Sequence, residues 1–175
     1  ELAKINSELS LATVEFARNL LAASAEFEMV LDKEEDLEGL PMSVRNAAKE
    51  AAEEAGHKGK YLFNLSKPSM LPFLTYSKDR DLRRQLYNGY IMRCNNDNEF
   101  DNKQLAEDMA RLRVEKANLL GYKSYSHYVT ADQMAGNPTA VYNLLDEIWE
   151  PALESAKAEL EAMNEMFQKD YPGAE

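Results

Sequence analysis

From Leu2 to Val30, apolar residues recur every three or four positions: Leu2, Ile5, Leu9, Ala12, Phe16, Leu20, Ala23, Phe27 and Val30. That period lays one apolar stripe along a helix, which the pattern extends over about 1–31. A charged stretch, 32–38, then leads into Gly39-Leu40-Pro41. Pro41 can open a second helix at about 42–55, with Val44, Ala47, Ala48 and Ala51 on one face and Gly56 as its stop. From Lys60 the period changes. Tyr61-Leu62-Phe63-Asn64-Leu65 alternates, and Phe73-Leu74-Thr75-Tyr76 follows Pro68 and Pro72, so two short strands at about 61–65 and 73–76 are expected to form a small ribbon.

Helical spacing returns over about 79–93, where Leu82, Leu86 and Tyr90 share a face. The run Asn95-Asn96-Asp97-Asn98 ends it, and Asp101 is placed to cap a helix over about 102–120 that stops at Gly121. Ser124 caps a short helix, 124–130, bearing Tyr125, Tyr128 and Val129. Asn137-Pro138 starts the last one, 138–170, in which Pro151 is expected to kink or interrupt the chain. The expected fold is therefore mainly α, a multi-helix array with one small β-ribbon, read as a single helical piece over 1–175.

Composition supports this picture. Seven Gly and six Pro in 175 residues, amid abundant Ala, Leu, Glu and Lys, are what a helix-rich globular chain shows. The net charge of -11 and pI of about 4.8 set a phosphate backbone against net repulsion, which excludes nucleic acid as a partner class. An acidic surface suits either plain solubility or cationic peptides. No apolar run reaches the roughly 20 residues of a membrane span, Leu20–Ala25 being cut off by Glu26, so no membrane partner is expected. Cys94 is the single cysteine, so no internal disulfide forms and the compartment stays open, with the cytoplasm favoured over the periplasm. The chain opens on Glu1 in helical periodicity, and reads as the interior of a longer protein.

Candidate chemistry is sparse. His57 and His127 lie far apart, and with one cysteine they supply no local zinc set; there is no His-Glu-x-x-His. Glu54-Ala55-Gly56-His57 has the Glu-x-x-His spacing of a di-iron bundle, but no second pair exists and Gly56 ends the helix before His57. A histidine beside a helix C-terminus is the simpler reading. Cys94 falls near a helix end, where the dipole raises a thiol pKa, and reads as a small buried hydrophobe. Gly56, Gly59 and Lys60 lack phosphate-loop spacing, and Glu34-Glu35 and Glu53-Glu54 read as solvated faces. Tyr61, Phe63, Phe73, Tyr76, Tyr87, Tyr90, Tyr122, Tyr125 and Tyr128 crowd the middle of the chain, which suits a peptide groove, a domain interface, or packing of the ribbon on the helices. No catalytic, cofactor-binding or metal-binding residue is assigned.

The stretch Leu112-Arg113-Val114-Glu115-Lys116-Ala117-Asn118-Leu119-Leu120-Gly121-Tyr122-Lys123-Ser124-Tyr125 resembles a motif of the M3 family of zinc peptidases, with Met134 and Asn137-Pro138 continuing it. Leu37-Glu38-Gly39-Leu40-Pro41 resembles the family's Leu-x-Gly-Leu-Pro turn, and Asp81-Leu82-Arg83-Arg84-Gln85-Leu86-Tyr87 is similar to a helix of its members. The likeness runs colinearly from about Leu2 to Pro172 and looks nearest to the bacterial peptidyl-dipeptidase, or dipeptidyl carboxypeptidase, branch. It implies a two-lobed helical enzyme with a channel for short peptides, its zinc held by His-Glu-x-x-His and a downstream Glu. None of those residues has a counterpart here, so the resemblance implies an inactive helical wall segment: zinc in the parent protein and none in this piece. The implied partners are short peptides, for the parent, and the remainder of its own polypeptide, with self-association of the excised piece through an uncovered patch. The rival readings are a stand-alone helical interaction domain without catalysis and a helical bundle binding partners through its tyrosines.

Overall fold

A computed structural model describes residues 1–173. In chain order it contains α1 (Leu2–Glu26), β1 (Met29–Leu31), a 3-10 turn (Glu34–Leu37), α2 (Met42–Glu54), β2 (Tyr61–Phe63), α3 (Lys67–Tyr76), α4 (Arg80–Ile91), α5 (Lys103–Leu119), α6 (Tyr125–Thr130) and α7 (Pro138–Asp170). The mainly helical class with one two-stranded antiparallel ribbon is as expected. The chain read above as one piece groups into two compact units, 1–112 and 113–175, with α5 crossing the division.

Two elements of the first unit correct the sequence reading. The first helix does not reach residue 31: Phe27 is extended, with ψ 119°, and Met29–Leu31 form a strand. Phe27 and Val30 keep the helical spacing, but Met29 and Leu31 alternate into the core on either side of the half-buried Val30, and burial decides. The second correction concerns the ribbon's partner. Residues 73–76 are not a strand but the end of α3; β2 pairs instead with β1, Met29 opposite Phe63 and Leu31 opposite Tyr61. Pro68 lies in the first turn of α3, where its missing N–H costs nothing, and Pro72 removes one further bond. Helical geometry places Met70 and Phe73 one turn apart on the core side, a pairing that a strand would not give.

The core of this unit joins Met29, Leu31, Leu37, Leu40, Ala48, Phe63, Leu65, Met70, Phe73 and Leu86. It lies beneath the ribbon, which α2 and α3 cover, while α4 packs on α3. The Phe63 and Phe73 rings meet edge to face at 4.5 Å. The Leu-x-Gly-Leu-Pro turn has a packing role: Leu37 and Leu40 are both core residues, and Gly39 between them has φ +89°. A Cβ at Gly39 would run into the backbone oxygen of Tyr76, so only glycine lets the turn lie on the end of α3. The Lys78 N–H donates to the Glu38 carbonyl at 3.0 Å and ties the two segments together.

A second link in this unit is polar. Asn19 of α1 and Asn102, just before α5, are both buried. Asn19 Nδ2 donates to Asn102 Oδ1 at 3.0 Å, and Asn102 Nδ2 donates to the Phe16 carbonyl at 3.1 Å. Asp101 caps α5 from just outside it, its carboxylate accepting the Lys103 N–H at 2.9 Å.

In the second unit the end of α5 follows the motif read from sequence. Gly121, at φ +79°, sends its N–H to the Asn118 carbonyl, and the Tyr122 N–H bonds Ala117 at 2.9 Å, the double bond of a Schellman terminus. Ser124 caps α6 and Asn137 caps α7. α7 is continuous through Pro151, so the expected interruption there does not occur.

Candidate functional site

Each candidate side chain has a definite place. The α2 terminus repeats the Schellman pattern, with the His57 N–H on the Ala52 carbonyl at 2.7 Å and Gly56 at φ +87°. This turns His57 out of the helix and away from any shared face with Glu54. Its ring lies 3.1 Å from the Glu28 carboxylate instead, at the surface beside the ribbon. His127 is engaged in α6, its Nδ1 2.8 Å from the Ser124 hydroxyl. Among the described residues no group of three or more His, Cys, Asp or Glu is placed to hold a metal ion.

Cys94 follows α4 with φ +58° and is only 6% exposed. Burial pushes its thiol pKa up; Arg93 pulls it part of the way back and Asp101 adds a smaller upward push. A thiol so held is a packing group. The neighbouring Arg93 is fixed from three sides: its guanidinium stacks 3.8 Å over Tyr90, Nε donates to the Tyr90 carbonyl, and Nη1 donates to Ser24 of α1. Beside it opens a cleft of about 440 Å³ between α1 and α4, floored by Phe27 and Gly89 and edged by Glu26, Asn88, Asn96 and Asn98. The Phe27 ring lies directly on Gly89. This amide-rimmed cleft was not visible in the sequence, because its walls come from segments some 60 residues apart.

The aromatic residues divide by role. Phe63 and Phe73 are core. Tyr61 is bound through its hydroxyl to Glu34 at 2.8 Å, a bond that raises its pKa. Tyr76 and Tyr87 face solvent. In the second unit Tyr122, Tyr125 and Tyr128 form a cluster, with Tyr128 5.3 Å from Tyr122 and 5.8 Å from Tyr125. Arg113 and Lys116 of α5 lie over Tyr125 and Tyr128 at 5.5 and 5.1 Å. The motif from Leu112 to Tyr125 thus fastens α6 to the end of α5. It is scaffold chemistry: the Ser124 hydroxyl, 2.8 Å from His127 Nδ1, also accepts the His127 N–H as the cap of α6.

On the loop before α5, Lys103 Nζ bonds Asn95, Asp97 and Asp101. Together with its backbone bonds, this holds the Asp101 carboxyl down to about 2. The ammonium occupies the centre of that cluster itself.

Comparison with known proteins gives these features a setting. The profile of peptidase family M3 matches residues 73–175. Oligopeptidase A of Haemophilus influenzae is 36% identical over 172 residues, covering 96% of this chain and 25% of that protein. A probable cytosolic oligopeptidase A of Arabidopsis thaliana is 33% identical over 163 residues, 88% of this chain and 23% of that protein. Dipeptidyl carboxypeptidase of Escherichia coli is 30% identical over 169 residues, 97% of this chain and 25% of that protein. The chain therefore spans about a quarter of the length of the curated relatives it matches.

Proposed function

Because the chain belongs to peptidase family M3, we propose that it forms a helical, non-catalytic wall segment of a zinc oligopeptidase acting on short peptides. The observation that carries this reading is the coverage: nearly the whole chain aligns with about a quarter of each peptidase. The residues present do not suit zinc. His57 has Glu28 beside it and His127 has Ser124, and among the described residues neither histidine belongs to a group of three metal-type ligands. The metal ligands and the general base then belong to polypeptide outside these 175 residues, and the chain by itself hydrolyses nothing.

Oligopeptidases A and a dipeptidyl carboxypeptidase align at similar identity, 31% and 30% for the two Escherichia coli proteins, so both branches support the family reading. The buried Leu37, Leu40, Phe73 and Leu112 are, on this reading, what keeps the wall rigid enough to exclude folded substrates.

The test is a transplant. The 172 matched residues of the Haemophilus influenzae oligopeptidase A are replaced by this chain, and an internally quenched oligopeptide reports cleavage. We expect cleavage by the chimera and none by the chain alone with added zinc. Hydrolysis by the chain alone, abolished by a chelator, overturns the proposal. So does a folded, zinc-loaded chimera that cleaves nothing.

A further inference from the structure

The cleft between α1 and α4 is built from residues between 23 and 98 and lies wholly within the first compact unit. Its volume of about 440 Å³ falls inside the range of about 300–1,000 Å³ usual for small-ligand sites. Ala23, Phe27 and Met92 give it apolar wall. Of the residues that line it two are charged, Arg93 and Glu26, and their signs are opposite.

Arg93 is held in place without being neutralised. A guanidinium has five N–H donors. Nε bonds the Tyr90 carbonyl and Nη1 the Ser24 hydroxyl, which leaves three, and the stack on Tyr90 fixes the plane in which they point. None of these partners is a carboxylate, whereas Arg18, Arg45, Arg84 and Arg111 each lie beside one. A planar fork of fixed orientation with donors to spare matches an incoming carboxylate.

Glu26 supplies the opposite pole. It is the last residue of α1, whose final turn carries no basic residue. The carbonyls left over at the helix end and the Glu26 carboxylate therefore add their negative charge at one place, which suits an ammonium group. The asparagines on the rim add polar contacts of both kinds. Asn96 Nδ2 is used on the Met92 carbonyl and Asn98 Oδ1 on the Phe100 N–H, so Asn96 keeps an acceptor and Asn98 a donor.

We propose that this cleft binds a small apolar zwitterion, a free α-amino acid or a dipeptide, with its carboxylate on Arg93, its ammonium at Glu26 and its side chain against Phe27 and Met92. Charge selects this class. The net charge of -11 opposes a plain anion, and Arg93 opposes a plain cation. Each further residue of an extended peptide parts the two charged ends by about 3.3–3.6 Å, so longer peptides cannot place both in a cleft of about 440 Å³. The inference follows from the cleft alone and does not rest on the family reading.

Calorimetric titration of the 175-residue chain with leucine and with leucyl-leucine tests it. N-acetyl-leucine and leucinamide, each lacking one of the two charges, serve as the comparison and leave the protein untouched. The tighter zwitterion should bind with a dissociation constant on the order of 0.1–1 mM, and both capped ligands at least about tenfold more weakly. Which zwitterion is tighter fixes the ligand's length, and either order supports the inference. Glu26→Gln should weaken the zwitterion at least about fivefold without weakening N-acetyl-leucine, a split that damage to the fold would not produce. Amide NMR shifts on binding should centre on Gly89 and on the side chains of Asn96 and Asn98.

N-acetyl-leucine binding as tightly as leucine overturns the inference in favour of a plain anion site. So does an absence of binding at about 10 mM ligand to a chain with the spectrum of a folded protein, and so do shifts that map away from the cleft. Binding is read on the chain and cleavage on the chimera. A chimera that cleaves nothing therefore leaves this inference standing, and a cleft that binds nothing leaves the peptidase reading standing.

Discussion

Gly89 offers a test in which two effects of known sign oppose each other. It lies inside α4 with ordinary helical backbone, so alanine there should stabilise the helix by about 0.5–1 kcal/mol. The structure sets a clash against this gain. A Cβ on Gly89 would overlap Phe27 Cε2 and sit 2.7 Å from Cδ2 and 2.8 Å from Cζ, where carbon atoms prefer about 3.5–4.0 Å. The ring must retreat by roughly an ångström, and such overpacking costs about 1–3 kcal/mol. The expected result for Gly89→Ala is a net loss of about 0.5–2 kcal/mol in chemical denaturation, with the denaturant dependence unchanged. Removing the ring reverses the sign: in a Phe27→Ala background the same substitution should stabilise by about 0.5–1 kcal/mol. The resulting cycle yields a coupling energy of about 1–3 kcal/mol. If Gly89→Ala stabilises equally in both backgrounds, the contact between Phe27 and Gly89 is not what joins α1 to α4, and the reasoning fails.

Other outcomes follow from the same geometry. Gly39→Ala meets both φ +89° and the Tyr76 carbonyl, and should destabilise by about 2–4 kcal/mol in urea; a change below about 0.5 kcal/mol would show that the turn can move. Asn102→Ala removes the partner of the buried Asn19 amide and should cost about 1–3 kcal/mol, while the double change with Asn19→Ala should cost less than the two singles summed; strict additivity would contradict the pairing. The Asp101 carboxyl, held down to about 2 from 3.8, favours the folded state at neutral pH. That contribution is lost as pH falls from about 4 to about 2. NMR titration should place its midpoint near 2, rising in Lys103→Ala, and a midpoint indifferent to that change would refute the assignment.

Local signals in the sequence were reliable where their causes were local. Asn137, Ser124 and Gly121 mark helix ends through bonds to residues three to five positions away, so their roles could be read directly. The Leu112–Tyr125 motif is legible for the same reason. The ribbon was not, because Met29–Leu31 satisfies a helical spacing and a strand alternation at once, and only its partner in space decides. Phe73–Tyr76 misled in the opposite sense: β-prone aromatics after prolines became a helix because Met70 and Phe73 must face the core together. The asparagine pair and the cleft between α1 and α4 join residues too distant in sequence for spacing to reveal. The candidate site consists of such distant contacts, and only its histidine, cysteine and tyrosine members could be named beforehand.

The pairing of Met29 with Phe63 also dictates an order of events. The first strand leaves the ribosome well before the second, with all of α2 between them, so the ribbon is a clasp with one half waiting. Until Phe63 emerges, Met29 and Leu31 have no ladder and no lid, and their apolar faces are open to other chains. Closing that long loop draws its entropy cost in one step, when β2 arrives with α3 close behind it. Nascent chains arrested with β1 and α2 outside the ribosome and β2 still inside it should therefore be sensitive to protease around Met29, and chains arrested once α3 has emerged should resist it.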